Sequence, residues 1–475
     1  MSVRWAPVEY TDVAELRGPL VVVRGTRGVG WDEYALVHTG SGEPRHGLVL
    51  ETSRDLAVVQ VLEGTAGIRP DDARVVFSGG PLRVPVGEGW LGRVCNGRGE
   101  PRDGGPPVYG AADADVNGFP LNPTMREPPA EPVLTGVSAI DALTTLVRGQ
   151  KLAVFAGPGL PYLELAAQIA AQAHVGGEPF SVVFAGMGLT HADAATVRDA
   201  LEERSAAGEL TLLLNLADDP VIERVITPRL ALTIAEHLAF ECGRHVLVVM
   251  ADMTSYCEAL REVSAARGEI PARRAYPGYL YSDLASLYER CGRVRGLAGS
   301  VTVLPVLTMP GGDVTHPVPD LSGYITEGQI VLSRDVPEYP HIDPLSSLSR
   351  LMRSGTGPDR TRPEHMDLAA QIIAALARAR QTRELAELVG DAALSLTDRG
   401  YLDFADAFQA GLLAQRRDEA RSLGDTFDRA WRVVSTLPRR ELAMLPDAAL
   451  DAYYRHDVRQ LHEVHVEDEH PGEAP

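Results

Sequence analysis

The residues whose types and spacing come closest to a catalytic motif lie at positions 155–164, which read FAGPGLPYLE. A phosphate-binding loop needs glycines whose backbone N–H groups surround phosphate oxygens, then a lysine for the terminal phosphates and a Ser or Thr for Mg²⁺. Gly157 and Gly159 meet the first need, but the last three positions of the pattern are Pro161, Tyr162 and Leu163. Proline has no N–H, tyrosine carries no cation and leucine has no hydroxyl. The segment therefore has the form of a phosphate loop without its chemistry, and a plain Gly/Pro turn is the alternative.

Two further residues could belong to such a site. Lys151 is the single lysine of the chain, but it precedes the apolar run 152–155 and so lies at the wrong end of that predicted strand. Asp252 follows the apolar run 246–251, which is the form of a segment whose carboxylate helps to hold Mg²⁺. An Asp at the end of a strand also commonly caps the next helix, and we favour this structural interpretation of Asp252.

The elements that would position these residues change in type along the chain. Short apolar runs at 20–23, 34–37, 48–50 and 57–62, separated by glycines, predict a small closed β-barrel or sandwich. Residues 78–130 are rich in Gly and Pro, so they cannot form long helices. From about residue 135, apolar runs at 152–155, 180–184, 210–216 and 245–251 alternate with helical candidates at 163–174, 192–204 and 221–240. Such alternation predicts a mostly parallel sheet with crossover helices.

Strand signals vanish after about residue 350, where apolar residues recur at helical spacing. The fold class is therefore α/β and multidomain. We predict an N-terminal β-barrel over 1–77, a central nucleotide-binding-type α/β domain over 78–345 and a C-terminal helical domain over 346–463. The acidic tail 464–475 is expected to be disordered.

Composition excludes several classes of protein. The net charge of −20 argues against nucleic acid as the main partner and against direct docking on an anionic membrane. No apolar window is long enough to span a membrane, and the first ten residues have no apolar signal core, so we expect a cytoplasmic location. The four cysteines are far apart and the histidines are scattered, so no metal site is predicted.

Six longer segments carry a resemblance to a known family. They are 136–141 (GVSAID), 146–152 (LVRGQKL), 252–262 (DMTSYCEALRE), 276–279 (YPGY), 319–330 (PDLSGYITEGQI) and 342–352 (IDPLSSLSRLM). From about Gly18 to Tyr454 the chain resembles the B subunit of V- and A-type rotary ATPases. The resemblance implies a β-barrel, a nucleotide-binding-type domain with a degenerate phosphate loop, and a helical bundle.

The resemblance also implies partners and a location. Three such subunits alternate with three catalytic A subunits in a ring around a central rotor shaft, which the loop at Arg273 and Arg274 should face, with a peripheral stalk outside. The complex moves protons or sodium ions, and the ring lies on the cytoplasmic face of the membrane. ATP or ADP with Mg²⁺ is expected at the A/B interface, held mainly by the A subunit, and no nucleic acid or membrane span is expected of this chain.

Individual roles also follow from the resemblance. Catalytic relatives carry a water-polarising Glu where this chain has Leu189, so a third catalytic group is missing. The Ser-Leu-Ser-Arg motif places Arg350 as an arginine finger that reaches the γ-phosphate of ATP in the neighbouring subunit. Tyr324 falls near that interface nucleotide, although a tyrosine in a Gly-flanked strand is commonly only packed.

Three other interpretations compete with this one. An active ATPase, such as a catalytic A subunit or an export ATPase, needs the lysine, hydroxyl and glutamate that are missing here. The nucleotide-binding α-type subunit of F-type synthases retains a working phosphate loop. A scaffold protein unconnected with ATP would have no reason to keep Arg350 in its motif.

Overall fold

The structure, a computed structural model, describes residues 8–40, 42–390 and 394–455, and the tail predicted to be disordered at 464–475 lies outside them. By its internal contacts the chain divides into two compact units. The first unit contains the residues up to Pro128, Gly149–Ala153 and Gly176–Thr326. The second contains Pro129–Arg148, Val154–Val175 and the residues from Glu327 onward.

An antiparallel N-terminal sheet belongs to the first unit. Its strands are β1 (Val8–Tyr10), β2 (Val13–Arg17), β3 (Leu20–Arg24), β4 (Tyr34–His38), β5 (Arg45–Thr52), β6 (Leu56–Val61) and β7 (Arg74–Phe77). Alternate valines such as Val21, Val23 and Val59 are buried in one core, because successive side chains of a strand point to opposite faces. Among the described residues the strands pair in the single path β1-β7-β4-β5-β6-β3-β2. Within the described residues the sheet is thus a half-barrel with β1 and β2 at the ends of the path, in agreement with the N-terminal β-barrel domain that we predicted.

The Gly- and Pro-rich segment after the barrel is ordered and built from short elements. They are β8 (Arg83–Val86), β9 (Val94–Asn96), β10 (Ala112–Asp115) and β11 (Arg126–Glu127). Trp90 is 2% exposed and donates its indole N–H to the Pro85 carbonyl at 2.8 Å. The segment therefore packs as an ordered loop on its own unit. Over residues 78–130, all of which the structure describes, it contains no long helix, as its Gly- and Pro-rich composition predicted.

Parallel strands form the centre of the first unit. The strands are β15 (Phe180–Leu189), β16 (Leu210–Leu216), β17 (His245–Ala251) and β19 (Ser300–Thr308), and the short β18 (Gly292–Val294) pairs antiparallel with β19. Within the described residues, β19, β17, β15, β16 and β9 are neighbours in that order, and these pairings are all parallel. All seven residues of β17 are buried, as expected for a strand covered on both faces. The prediction of a mostly parallel sheet is confirmed here.

Helices of the first unit follow these strands. They are α3 (His191–Ala200), α4 (Glu202–Ala206), α5 (Val221–Phe240), α6 (Met253–Ala266), α7 (Leu280–Tyr288) and α8 (Pro317–Ile325). The helix predicted over 221–240 is confirmed as α5, whereas the one predicted over 192–204 is interrupted at Leu201, whose ψ of 3° is not helical.

The second unit contains the degenerate loop and the C-terminal helices. Its elements before residue 350 are β12 (Pro132–Val133), α1 (Ser138–Leu143), β13 (Leu146–Val147), β14 (Ala153–Ala156), α2 (Tyr162–Gln172), β20 (Gly328–Leu332) and β21 (Leu348–Ser349). They are followed by α9 (Met352–Gly355), α10 (His365–Val389), α11 (Leu396–Phe408), α12 (Leu423–Val434) and α13 (Asp447–Tyr453). Ser395 and Ser422 cap α11 and α12 with their hydroxyls, which ends the preceding loops. The predicted helical domain is therefore confirmed.

None of the helices that the structure describes is both long enough and apolar enough to cross a membrane.

Candidate functional site

The degenerate loop, defined here as residues 157–162, connects β14 to α2. Gly159 has a φ of +75°, a conformation that glycine adopts without strain. The N–H of Leu160 donates to the Gly157 carbonyl at 3.3 Å, and that of Tyr162 donates to the Leu160 carbonyl at 2.8 Å. These two N–H groups are therefore used within the loop, and Pro161 has no N–H to offer a phosphate. The loop is closed on itself.

Two arginines hold this closed loop from outside. Arg334 donates a guanidinium N–H to the Pro158 carbonyl. Arg417 lies 3.5 Å from the Glu164 carboxylate in the first turn of α2 and stands over the Tyr339 ring at 5.5 Å. The Arg417 guanidinium therefore offsets the negative charge of Glu164, and Arg334 is bonded to the backbone of the loop itself. The sequence did not reveal this closure, because Arg334 and Arg417 are far from the loop along the chain.

The single lysine serves a structural role. Lys151 is 4% exposed, and its ammonium group lies 2.8 Å from the carboxylate of Glu289. A buried ammonium requires such a partner, since an isolated buried charge is costly. The expectation that Lys151 does not serve the loop agrees with this geometry.

Leu189, which the resemblance places where catalytic relatives carry a glutamate, is a buried apolar side chain. Leu189 ends β15 and is 3% exposed. It packs so closely on Gly186 that a Cβ added there would lie 2.6 Å from Leu189 Cδ1. The next residue, Thr190, forms a capping box with Asp193 at the start of α3. Neither side chain is available to orient a water for attack on a phosphate.

The Asp252 carboxylate is hydrogen-bonded to two neighbouring threonines. It accepts from the Thr254 N–H at 2.8 Å and from the Thr308 N–H and hydroxyl at 3.2 and 2.7 Å. Burial raises the pKa of this carboxyl above its usual range, while the Thr308 and Thr254 hydrogen bonds lower it. Asp252 is the N-cap of α6, so the helix-capping interpretation is confirmed.

Arg350 is exposed at the end of an anchored strand. It directly follows β21, whose Ser349 pairs with Gly328 of β20. The Arg350 N–H donates to the Glu327 carbonyl at 2.9 Å, and its side chain is exposed. A guanidinium on a fixed backbone at the surface can contact an anionic group on a neighbouring molecule.

Comparison with known proteins bears on this geometry. Family models match the beta-barrel domain of the ATP synthase alpha/beta family at residues 13–79, the nucleotide-binding domain of that family at 136–349, and the C-terminal domain of V and A type ATP synthase at 354–454. The B subunit of the A-type ATP synthase from Aeropyrum pernix is 52% identical over 451 residues, which are 94% of this chain and 97% of that protein. The chain belongs to the family of V/A-type ATP synthase B subunits.

A solved structure supports the same family. An ATP synthase subunit described as NeqB, from Nanoarcheaum equitans, is 36% identical, with a TM-score of 0.70 over 86% of this chain and 100% of that chain. The three-part fold class that the resemblance implied is confirmed by the three family models.

Tyr324 was expected near the interface nucleotide, with a packed ring in a Gly-flanked strand as the alternative. The structure places Tyr324 in α8, where it is 73% exposed. The helix forms because Pro317 is at its first turn and the His316 side chain accepts from the Val318 N–H, a favourable arrangement for a helix start. The strand assignment was wrong, and the exposed ring is free of a core-packing role.

Proposed function

We propose that this chain is a non-catalytic, regulatory member of an ion-translocating V/A-type ATP synthase, in which Arg350 acts in trans on ATP held by a catalytic A subunit. Three A and three B subunits would alternate in a ring around the rotor shaft, with a peripheral stalk outside. The ring would lie on the cytoplasmic face of the membrane. We retain the domain limits at 77, 345 and 463 as part of this proposal.

The observation that carries the proposal is a contrast within one chain. The groups that would hydrolyse ATP are absent, and their places are taken by the closed loop and by buried Leu189. In contrast, Arg350 remains exposed on a backbone fixed at Glu327. A chain built this way cannot supply a complete site, but it can supply one charged group to a site elsewhere.

The chemistry assigned to Arg350 is charge neutralisation. As the γ-phosphoryl group is transferred, its equatorial oxygens carry the charge, and a planar guanidinium can bind two of them at once. The A subunit would hold the nucleotide and Mg²⁺. Tyr324, whose ring is exposed, is proposed as an aromatic contact for that interface nucleotide, whereas Gly157, Gly159, Pro161 and Tyr162 would bind it weakly or not at all.

Substitution of Arg350 tests the proposal. In the reconstituted complex, Arg350→Ala should lower ATP turnover about 10³–10⁵-fold, as removal of arginine fingers does elsewhere. Arg350→Lys should restore little, because lysine lacks the two-pronged donor set. ATP hydrolysis is measured on complexes whose assembly is verified by native gel electrophoresis.

Arg353 provides the matched control. It is an exposed arginine three residues later, on α9, so Arg353→Ala removes the same charge from the same segment and should cost much less turnover. If the Arg350→Ala complex assembles and turns over like the wild type, the finger assignment is wrong.

A further inference from the structure

The strand that presents Arg350 is anchored by the side chain immediately before it. Ser349 is 8% exposed, and its hydroxyl donates to the Thr145 carbonyl at 3.1 Å. β21 contains only Leu348 and Ser349, and Leu348 is 53% exposed. A two-residue edge strand has little pairing of its own to fix it, so the Ser349 hydroxyl is a substantial part of what holds this backbone in place.

Thr145 is itself held in place by a hydrogen bond to α1. It follows α1, and its hydroxyl donates to the Asp141 carbonyl at 2.9 Å. The Asp141 carboxylate in turn accepts from the Thr135 N–H and hydroxyl at 2.9 and 2.7 Å and from the Gly136 N–H at 3.0 Å. All six residues of α1 are buried.

The same short helix is clamped by the C-terminal helices. The Ser138 N–H donates to the Gln415 side-chain carbonyl at 3.0 Å, and the Ser138 hydroxyl lies 2.9 Å from that of Thr426 on α12. At the other end of α1, the His365 ring nitrogen Nε2 lies 2.9 Å from the Ala142 carbonyl. The Thr145 carbonyl, which accepts the hydrogen bond from Ser349, is therefore held in place by the packed core of the second unit.

We propose that Ser349 is a positioning residue for Arg350, which fixes the finger strand to α1 so that the guanidinium meets the phosphoryl group with the correct geometry. The proposal rests on the proposed function of Arg350. Ser349 would touch neither nucleotide nor metal, and would act only through the backbone of its neighbour. A displacement of about 1 Å in such a group can cost about 10²-fold in rate, so the loss of one hydroxyl is measurable.

Two substitutions of Ser349 test this role in the reconstituted complex. Ser349→Ala should lower kcat about tenfold while the KM for MgATP and the amount of assembled complex stay unchanged, because the A subunit holds the ground-state nucleotide. Ser349→Thr keeps the hydroxyl and should retain most of kcat. Ser346→Ala is the matched control, since the Ser346 hydroxyl bonds within its own turn, to Asp343 at 2.5 Å, and its loss should change kcat less than twofold.

A double variant separates this inference from the function on which it rests. If Ser349 acts only through Arg350, adding Ser349→Ala to Arg350→Ala should cause no further loss of kcat, since coupled residues are not additive. An additive loss, or wild-type kcat in Ser349→Ala, would overturn the positioning role while Arg350 stands. Wild-type kcat in Arg350→Ala would instead overturn the proposed function.

Stability measurements complete the test. If Ser349→Ala reduces activity only in proportion to the complex that fails to assemble, the residue is merely structural and the proposal is wrong. Should that variant not assemble at all, Ser349→Val, which has the shape of threonine but no donor, is measured instead, and a kcat equal to that of Ser349→Thr would again refute the role.

Discussion

A buried histidine makes the helical part of the chain sensitive to acid. His365 is 1% exposed at the start of α10, where its Nδ1 lies 3.0 Å from the Thr361 hydroxyl and its ring meets Phe427 edge-on at 4.7 Å. Burial lowers the pKa of His365 to about 4, against an ordinary value of 6.5, although its hydrogen bond to Ala142 opposes the shift. The folded chain therefore holds this ring neutral at a pH where the unfolded chain protonates it.

The sign and size of the effect follow from this difference. Above pH 6.5 the ring is neutral in both states, so His365 adds no pH dependence. As the pH falls below 6.5, the unfolded state binds a proton that the folded state does not, and stability falls by about 1.4 kcal/mol per pH unit. The loss reaches about 2 kcal/mol at pH 5 and approaches about 3 kcal/mol at pH 4, where the folded state also begins to protonate.

Substitution by glutamine isolates this contribution. His365→Gln cannot titrate, but its amide can still donate to the Ala142 carbonyl. Urea unfolding of both proteins is followed by far-UV circular dichroism at pH 7 and pH 5, and the drop in unfolding free energy between the two pH values is compared. The drop should be about 2 kcal/mol smaller in His365→Gln. Equal drops in the two proteins would show that His365 is accessible to protons in the folded state and would refute the reasoning.

Two other outcomes are expected from the structure. Arg290→Ala should lower the unfolding free energy by about 3–5 kcal/mol in thermal or urea unfolding, because the fully buried guanidinium binds Glu236 twice at 2.7 Å and the Val116 carbonyl at 3.0 Å; a loss below about 1 kcal/mol would contradict this account. Calorimetry on the isolated chain should detect no tight MgATP binding, because the degenerate loop is closed; a dissociation constant in the low micromolar range would show that the loop opens.

The sequence predicted elements well where hydrophobicity and burial coincide. The apolar runs that became β16 and β17 are buried along their whole length, so their pattern alone identified them. Prediction was poorer where a local signal is weak or shared by two structures. The polar β2 was not evident, and the glycines around Tyr324 favoured a strand where Pro317 at the helix start produces α8.

For the candidate site, the sequence predicted which chemical groups are absent but not which contacts replace them. The missing groups at Pro161, Tyr162 and Leu189 could be read directly, because an absent lysine or carboxylate needs no three-dimensional information. The contacts of Arg334 and Arg417 could not, since they depend on tertiary packing. Arg350 is an ordinary exposed arginine by any local measure, and only its motif singled it out.

The way in which the lost groups are replaced argues against a site that is merely idle. If a phosphate-binding site had lost only its lysine and hydroxyl side chains, its backbone N–H groups would remain without hydrogen-bond partners. Such groups are costly when buried. Here the N–H groups of Leu160 and Tyr162 bond within the loop, and the Asp252 carboxylate accepts hydrogen bonds from Thr254 and Thr308. Because these groups form hydrogen bonds within the fold, we expect no single substitution at Pro161, Tyr162 or Leu189 to produce ATP hydrolysis. A carboxylate introduced at Leu189, for example, would replace a side chain that is 3% exposed and would carry the cost of burying a charge. Under the proposed function, the group that this chain would contribute to ATP hydrolysis is therefore the exposed Arg350 side chain, acting on another subunit.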